Sequence, residues 1–177
     1  MSTQFSEQSK KAIETILSRY PNKQAALLPL LWVAQEQFGW VSSEVIELVA
    51  RTLELSTAHV YGVVTFYTMY HQKPPGRYHI QVCQTLSCAM SGCDRLIDRL
   101  KEKLEIQAGE TTQDKQFSLE TVECLASCGT APAMRINEKY YENLTIEKVD
   151  QLLESLGRHP RESGDPEEPT RFPLPRE

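Results

Sequence analysis

The residues of this chain best suited to chemistry are its five cysteines, which occupy two short windows, "CQTLSCAMSGC" at residues 83–93 and "CLASC" at 124–128. Thiolate sulfur binds soft metals and iron-sulfur clusters, and it also works as a thiol-disulfide couple. Cys83 and Cys88 are spaced C-x4-C, and Cys124 and Cys128 C-x3-C. Four thiolates around one ion could hold zinc, whereas two facing pairs could hold a 2Fe-2S cluster, each iron taking two cysteine sulfurs and two bridging sulfides. Spacing leans toward the cluster without deciding the matter. Zinc knuckles often use C-x2-C but accept wider spacing, and the C-x2-C that follows C-x4-C in plant-type clusters is missing here. There is no C-x-x-C of the disulfide-exchange type and no C-x-H pair for histidine-ligated iron.

The positioning elements belong to a chain of 177 residues with a net charge of -5, ordinary for a globular protein. Its lysines and arginines are scattered among acids, which does not suit binding to nucleic acid or to an anionic membrane. The start, "MSTQFSEQSKK", has no apolar signal core, and no run approaches the roughly 18 apolar residues of a membrane span. We therefore expect a cytoplasmic chain with no direct membrane insertion. Thiols stay reduced there, so clustered cysteines point to metal or redox work rather than to structural bridges.

Apolar residues recur at helical spacing from about residue 6 to 70. Ala12, Ile13, Ile16, Leu17 and Tyr20 form one face ahead of Pro21, and Leu27, Leu30, Leu31, Ala34 and Phe38 form a second that ends at Gly39. Ser42 or Ser43 can cap a third helix carrying Val45, Ile46, Val49 and Leu53, and Ser56 a fourth. The aromatic-rich stretch with Tyr61, Val63, Val64, Phe66, Tyr67 and Tyr70 reads as helix core, with part of it available to anchor a neighbour. "HQKPPG" then breaks the pattern, giving a helical N-terminal domain over 1–73.

After the break, Tyr78, Ile80 and Val82 alternate as a strand ending at Cys83. Residues 89–105 return to helical spacing, and a polar loop leads to a strand over 117–123 that runs into Cys124. "AMRIN" and "YYENL" suggest a hairpin turning at Glu138 and Lys139; Thr145 caps a final helix that stops at Gly157. The second domain therefore spans 74–157, in the order β-α-β-β-β-α. Residues 158–177 are proline-rich and read as a disordered or docking tail.

Two strands joined by one helical crossover lie parallel and close together, so their C-terminal ends share an edge. That edge gathers Cys83, Cys88, Cys124 and Cys128. Cys93, in phase with Ala89, Leu96, Ile97 and Leu100, falls on a core face instead.

These cysteines, with "ALLPLLWVAQEQFGW" and "VYGVVTFYTMY" before them and "APAMRIN" and "YYENLT" after, closely resemble the E subunit of bacterial NADH-quinone oxidoreductase, respiratory complex I, over about residues 6–156. The resemblance implies an α+β architecture: an N-terminal helical bundle followed by a thioredoxin-like α/β ferredoxin domain with a mixed sheet. It implies that Cys83, Cys88, Cys124 and Cys128 ligate one 2Fe-2S cluster. It also implies that FMN and NADH are held by a partner subunit, beside other iron-sulfur subunits, with the whole complex peripheral to the inner membrane. The chain would be an electron-transfer part of an oxidoreductase, with no catalytic residue of its own. Related subunits occur in NAD-reducing hydrogenases and NAD-linked formate dehydrogenases, which are alternative parents. A structural zinc module and a thiol-disulfide enzyme using Cys83 and Cys88 are the rivals from other classes.

One departure lies at Thr112–Lys115, where family members often have Thr-x-Asp-Gly; lysine makes a left-handed turn at 115 less easy. Gly129 reads as a position of close backbone approach, and Pro132 as the proline before a strand, cis or trans. His59, His71, His79 and His159 read as structural or solvated.

Overall fold

The computed structural model describes residues 3–157, so the tail expectation for 158–177 lies outside the described residues. The chain divides into two compact units between Pro74 and Pro75.

In the first unit, each helix begins and ends where its sequence supplies the cap. Helix α1 (Glu7–Arg19) starts at Ser6, whose hydroxyl accepts from the Ser9 amide. Helix α2 (Leu27–Phe38) follows a 3-10 turn over Gln24–Ala26 and ends at Gly39, which takes the left-handed conformation. Pro29 lies in the first turn of α2, where its missing N–H leaves no bond unmade. Ser42 caps α3 (Ser43–Leu53) and Ser56 caps α4 (Thr57–Phe66). Successive helices pack on one another around fully buried Leu30, Leu31, Val49, Leu53, Val60 and Val64. The aromatic stretch is divided: Tyr70 is buried, but Tyr61 is 54% and Phe66 76% exposed, so these two do not belong to the core.

The second unit is a mixed sheet of β1 (Tyr78–Cys83), β2 (Glu110–Thr111), β3 (Phe117–Val122), β4 (Met134–Ile136) and β5 (Lys139–Tyr141), in the order β2-β3-β1-β4-β5. Strands β1 and β3 run parallel, with Tyr78 opposite Phe117 and Cys83 opposite Val122; the other pairings are antiparallel. Between β1 and β2 lie α5 (Leu86–Met90) and α6 (Cys93–Leu104), and α7 (Ile146–Gly157) follows the last strand. Helix α6 packs on β1, β3 and α7, and Ile80, Val82, Leu119 and Met134 join Leu96, Leu100 and Val149 in the core. Among the described residues no helix is long and apolar enough to cross a membrane.

Several local expectations are corrected. The helical stretch over 89–105 is two helices, because Gly92 at φ +85 breaks it and leaves Ala89 on α5. The hairpin turns at Asn137 and Glu138, with Asn137 left-handed at φ +51 and Lys139 already in β5. Strand β3 ends at Val122, and the polar loop before it contains the short edge strand β2. Lys115 does adopt φ +57 despite its side chain. Its turn is closed by Asp114, which accepts from the Thr112 hydroxyl and the Gln116 amide, while Thr112 Oγ1 accepts from the Phe117 amide.

Candidate iron-sulfur site

The parallel β1–β3 register brings the two cysteine windows to one sheet edge. Cys83 is the last residue of β1, and its amide donates to the Ala133 carbonyl at 3.2 Å; the Gln84 amide donates to the Val122 carbonyl at 3.0 Å. These bonds fix the strand end between its two neighbours. The chain then enters α5, which carries Cys88 on its buried side, while Leu86 and Met90 point outward and are 75% and 82% exposed. From β3 the chain passes through Glu123 and Cys124 to a 3-10 turn over Cys128–Thr130. The Ala131–Pro132 peptide that follows is cis, which settles the open reading of Pro132.

Cys83 and Cys88 are buried, and each thiol shifts the proton affinity of the other. Burial pushes the Cys83 thiol up, but hydrogen bonds from the Thr85 hydroxyl, the Thr85 and Leu125 amides and the Cys88 thiol outweigh it and leave Cys83 below the ordinary thiol range. Cys88 is pushed up to about 11, chiefly by burial and then by its neighbour Cys83, against one amide bond from Ala133. Cys83 therefore gives up its proton more readily than Cys88. Cys124 and Cys128 are exposed. The Ala126 amide donates to Cys124 Sγ at 3.3 Å, with Ala126 itself left-handed at φ +58. Gly129, in the 3-10 turn at Cys128–Thr130, has no protein atom within 4 Å of where a Cβ would stand.

Cys93 is the first residue of α6, fully buried beside Leu96 and Leu100 and near enough to Cys83 and Cys88 for charge on one to oppose charge on the others. Burial is the main cause that raises its thiol. Among the described residues no three His, Cys, Asp or Glu side chains stand close enough to grip a single ion. The donor set is thus divided between a buried pair and an exposed loop. A two-iron cluster, which takes two cysteines at each iron, fits such a set. Backbone amides of Thr85, Leu125, Ala126 and Ala133 directed at sulfur add the hydrogen bonds an anionic cluster needs.

Two features have no signal in the sequence. Thr85 stands two residues past Cys83, and its hydroxyl oxygen is 3.3 Å from Cys83 Sγ. His79, expected to have no specific partner, lies with Nε2 3.0 Å from Glu120 Oε2. Gln81 Nε2 donates to the same Glu120 oxygen at 2.9 Å, and Arg135 Nε donates to Gln81 Oε1 at 2.9 Å. A polar network therefore crosses β3, β1 and β4, visible only once the strand register is known.

The family model of thioredoxin-like 2Fe-2S ferredoxins matches residues 13–157. The E 2 subunit of the NADH-quinone oxidoreductase of Rhizobium meliloti (strain 1021) is 41% identical over 147 residues, covering 83% of this chain and 88% of the relative. The E subunit of the same enzyme from Rickettsia bellii (strain RML369-C) is 44% identical over 155 residues, covering 86% of this chain and 93% of the relative. An NAD+-reducing NiFe-hydrogenase in its H2-reduced state shares the fold, with a TM-score of 0.64 at 22% identity over 73% of this chain. This chain spans about a fifth of that hydrogenase chain, 22% of its length.

Proposed function

The chain belongs to the thioredoxin-like 2Fe-2S ferredoxin family, in the group of NADH-quinone oxidoreductase E subunits, and on that premise we propose that it is an electron-transfer subunit of an NADH-oxidising complex. The observation that carries the reading is the convergence of the two cysteine windows at the ends of paired parallel strands, with amides directed at sulfur. Cys83, Cys88, Cys124 and Cys128 hold one 2Fe-2S cluster, and Cys93 takes no part. The cluster supplies a one-electron carrier. The protein holds the sulfurs in place, offers them hydrogen bonds, and buries one side of the site while leaving the loop at 124–128 open to a neighbour.

FMN and NADH are bound by a partner subunit of the same complex, which also contains other iron-sulfur subunits. The exposed side chains of Leu86 and Met90, and separately of Tyr61 and Phe66, supply apolar contacts for such partners. The complex is NADH-quinone oxidoreductase, with this chain on its cytoplasmic side, peripheral to the inner membrane.

Protein purified without oxygen should contain iron and acid-labile sulfide in equal amounts and give a paramagnetic resonance signal on one-electron reduction. A colourless protein with zinc and no iron would sink the reading. Copurification from the native cell with quinone-reducing rather than hydrogenase subunits tests the choice of complex.

A further inference from the structure

Among the described residues, hydroxyls that immediately precede α-helices have a shared task, with Thr85 as the exception. Ser6, Ser42 and Ser56 each accept a hydrogen bond from an amide in the first turn of the helix they precede, and Thr145 accepts from the Lys148 amide. Thr85 occupies the same position before α5, with extended backbone at φ -80 and ψ 171, yet makes no capping bond. Its half-buried side chain is turned the other way, with Oγ1 3.3 Å from Cys83 Sγ. A hydroxyl that gives up its cap for a sulfur has been positioned by something other than helix stability.

We propose that the Thr85 hydroxyl is a potential-setting group, which donates its hydrogen bond to the Cys83 sulfur and makes the bound cluster easier to reduce. The inference rests on the reading of Cys83 as a cluster ligand. Once Cys83 has lost its proton to bind iron, its sulfur can only accept, so the donor in this contact must be Thr85. One-electron reduction leaves the composition of the cluster unchanged and adds one negative charge, part of which falls on the ligand sulfurs. A hydrogen bond donated to sulfur is stronger in that state, and therefore favours it. The Thr85 and Leu125 amides act in the same sense, but a side-chain donor can be removed without altering the backbone.

The test compares loaded wild-type protein with Thr85→Val, which keeps the shape but not the donor, and Thr85→Ser, which keeps the donor. Redox titration followed by paramagnetic resonance should show about a tenfold lower equilibrium constant for one-electron reduction in Thr85→Val, equivalent to about 59 mV, with iron content unchanged. Thr85→Ser should keep the wild-type potential. A loaded Thr85→Val with the wild-type potential overturns the proposal. If Thr85→Val does not load, Thr85→Ala against Thr85→Ser gives the same comparison, with equal potentials as the overturning result. Wild-type protein that takes up no iron would instead defeat the ligand reading, and this inference with it.

Discussion

At the scale of single residues, the site separates cysteines that look alike in sequence. Replacing Cys83, Cys88, Cys124 or Cys128 with serine should abolish the visible spectrum of the cluster, measured as absorbance per chain after anaerobic loading. Cys93→Ala should leave that spectrum intact and cost about 1 kcal/mol in denaturant unfolding, as expected for a small truncation in a packed core. Lys115 offers a second prediction. A side chain held in the left-handed region costs about 1–2 kcal/mol, while glycine costs about 0.5–1 kcal/mol in chain entropy, so Lys115→Gly should stabilise the protein by roughly 0.5–1 kcal/mol. The left-handed turn at Lys115 is legible only through the departure of "TQDK" from the Thr-x-Asp-Gly that the resemblance supplies. The pairing of His79 with Glu120 is not legible, because the two meet only through the pairing of β1 with β3.

At the scale of elements, caps carry most of what the sequence discloses. Gly39, Ser42, Ser56 and Thr145 mark helix ends correctly because each satisfies a terminal backbone group from a position next to it in the chain, whereas the Ser6 cap emerges only in the structure. The break between α5 and α6 is hidden because apolar phase continues across it, and only the left-handed Gly92 interrupts the backbone. Strand β2 is hidden because two residues show no alternation. The start of the β1–β3 pair depends on Gly76: a Cβ there would stand 2.7 Å from the backbone carbon of Phe117, and the Gly76 amide donates to the Ser118 hydroxyl. Gly76→Ala should therefore destabilise the second unit by about 1–3 kcal/mol in urea unfolding, since backbone must give way to backbone. Helices α6 and α7 are joined by Arg99, which donates from Nε and Nη2 to the two oxygens of Asp150 at 3.0 and 2.8 Å. That hydrogen bonding holds the Asp150 carboxyl below the usual carboxylate range. A depressed folded value means the contribution is complete above about pH 4, the ordinary aspartate value, and is lost as pH falls below it. Melting temperature measured from pH 6 down to pH 2 should fall less steeply in Asp150→Asn than in wild type.

At the scale of the whole molecule, the proposed partner contacts rest on exposed apolar side chains, and these can be tested one at a time. Phe66→Asp and, separately, Met90→Asp should change the unfolding free energy by no more than about 0.5 kcal/mol, since both side chains are solvent-facing. Each should nevertheless weaken recovery of partner subunits in a pull-down from the native cell. Unchanged recovery in both variants would remove these surfaces from the assembly. The two units also differ in how far along the chain their contacts reach. The helices of the first unit pack on sequence neighbours, whereas β1 must find β3 across α5, α6 and β2. Local contacts form fast and distant parallel pairing slowly, so the helical unit matures first. Because the proposed ligand windows follow the two strands of that slow pairing, the cradle they would form is expected to be a late product of folding. Iron and sulfide therefore have to be delivered to a chain whose helical half is already built.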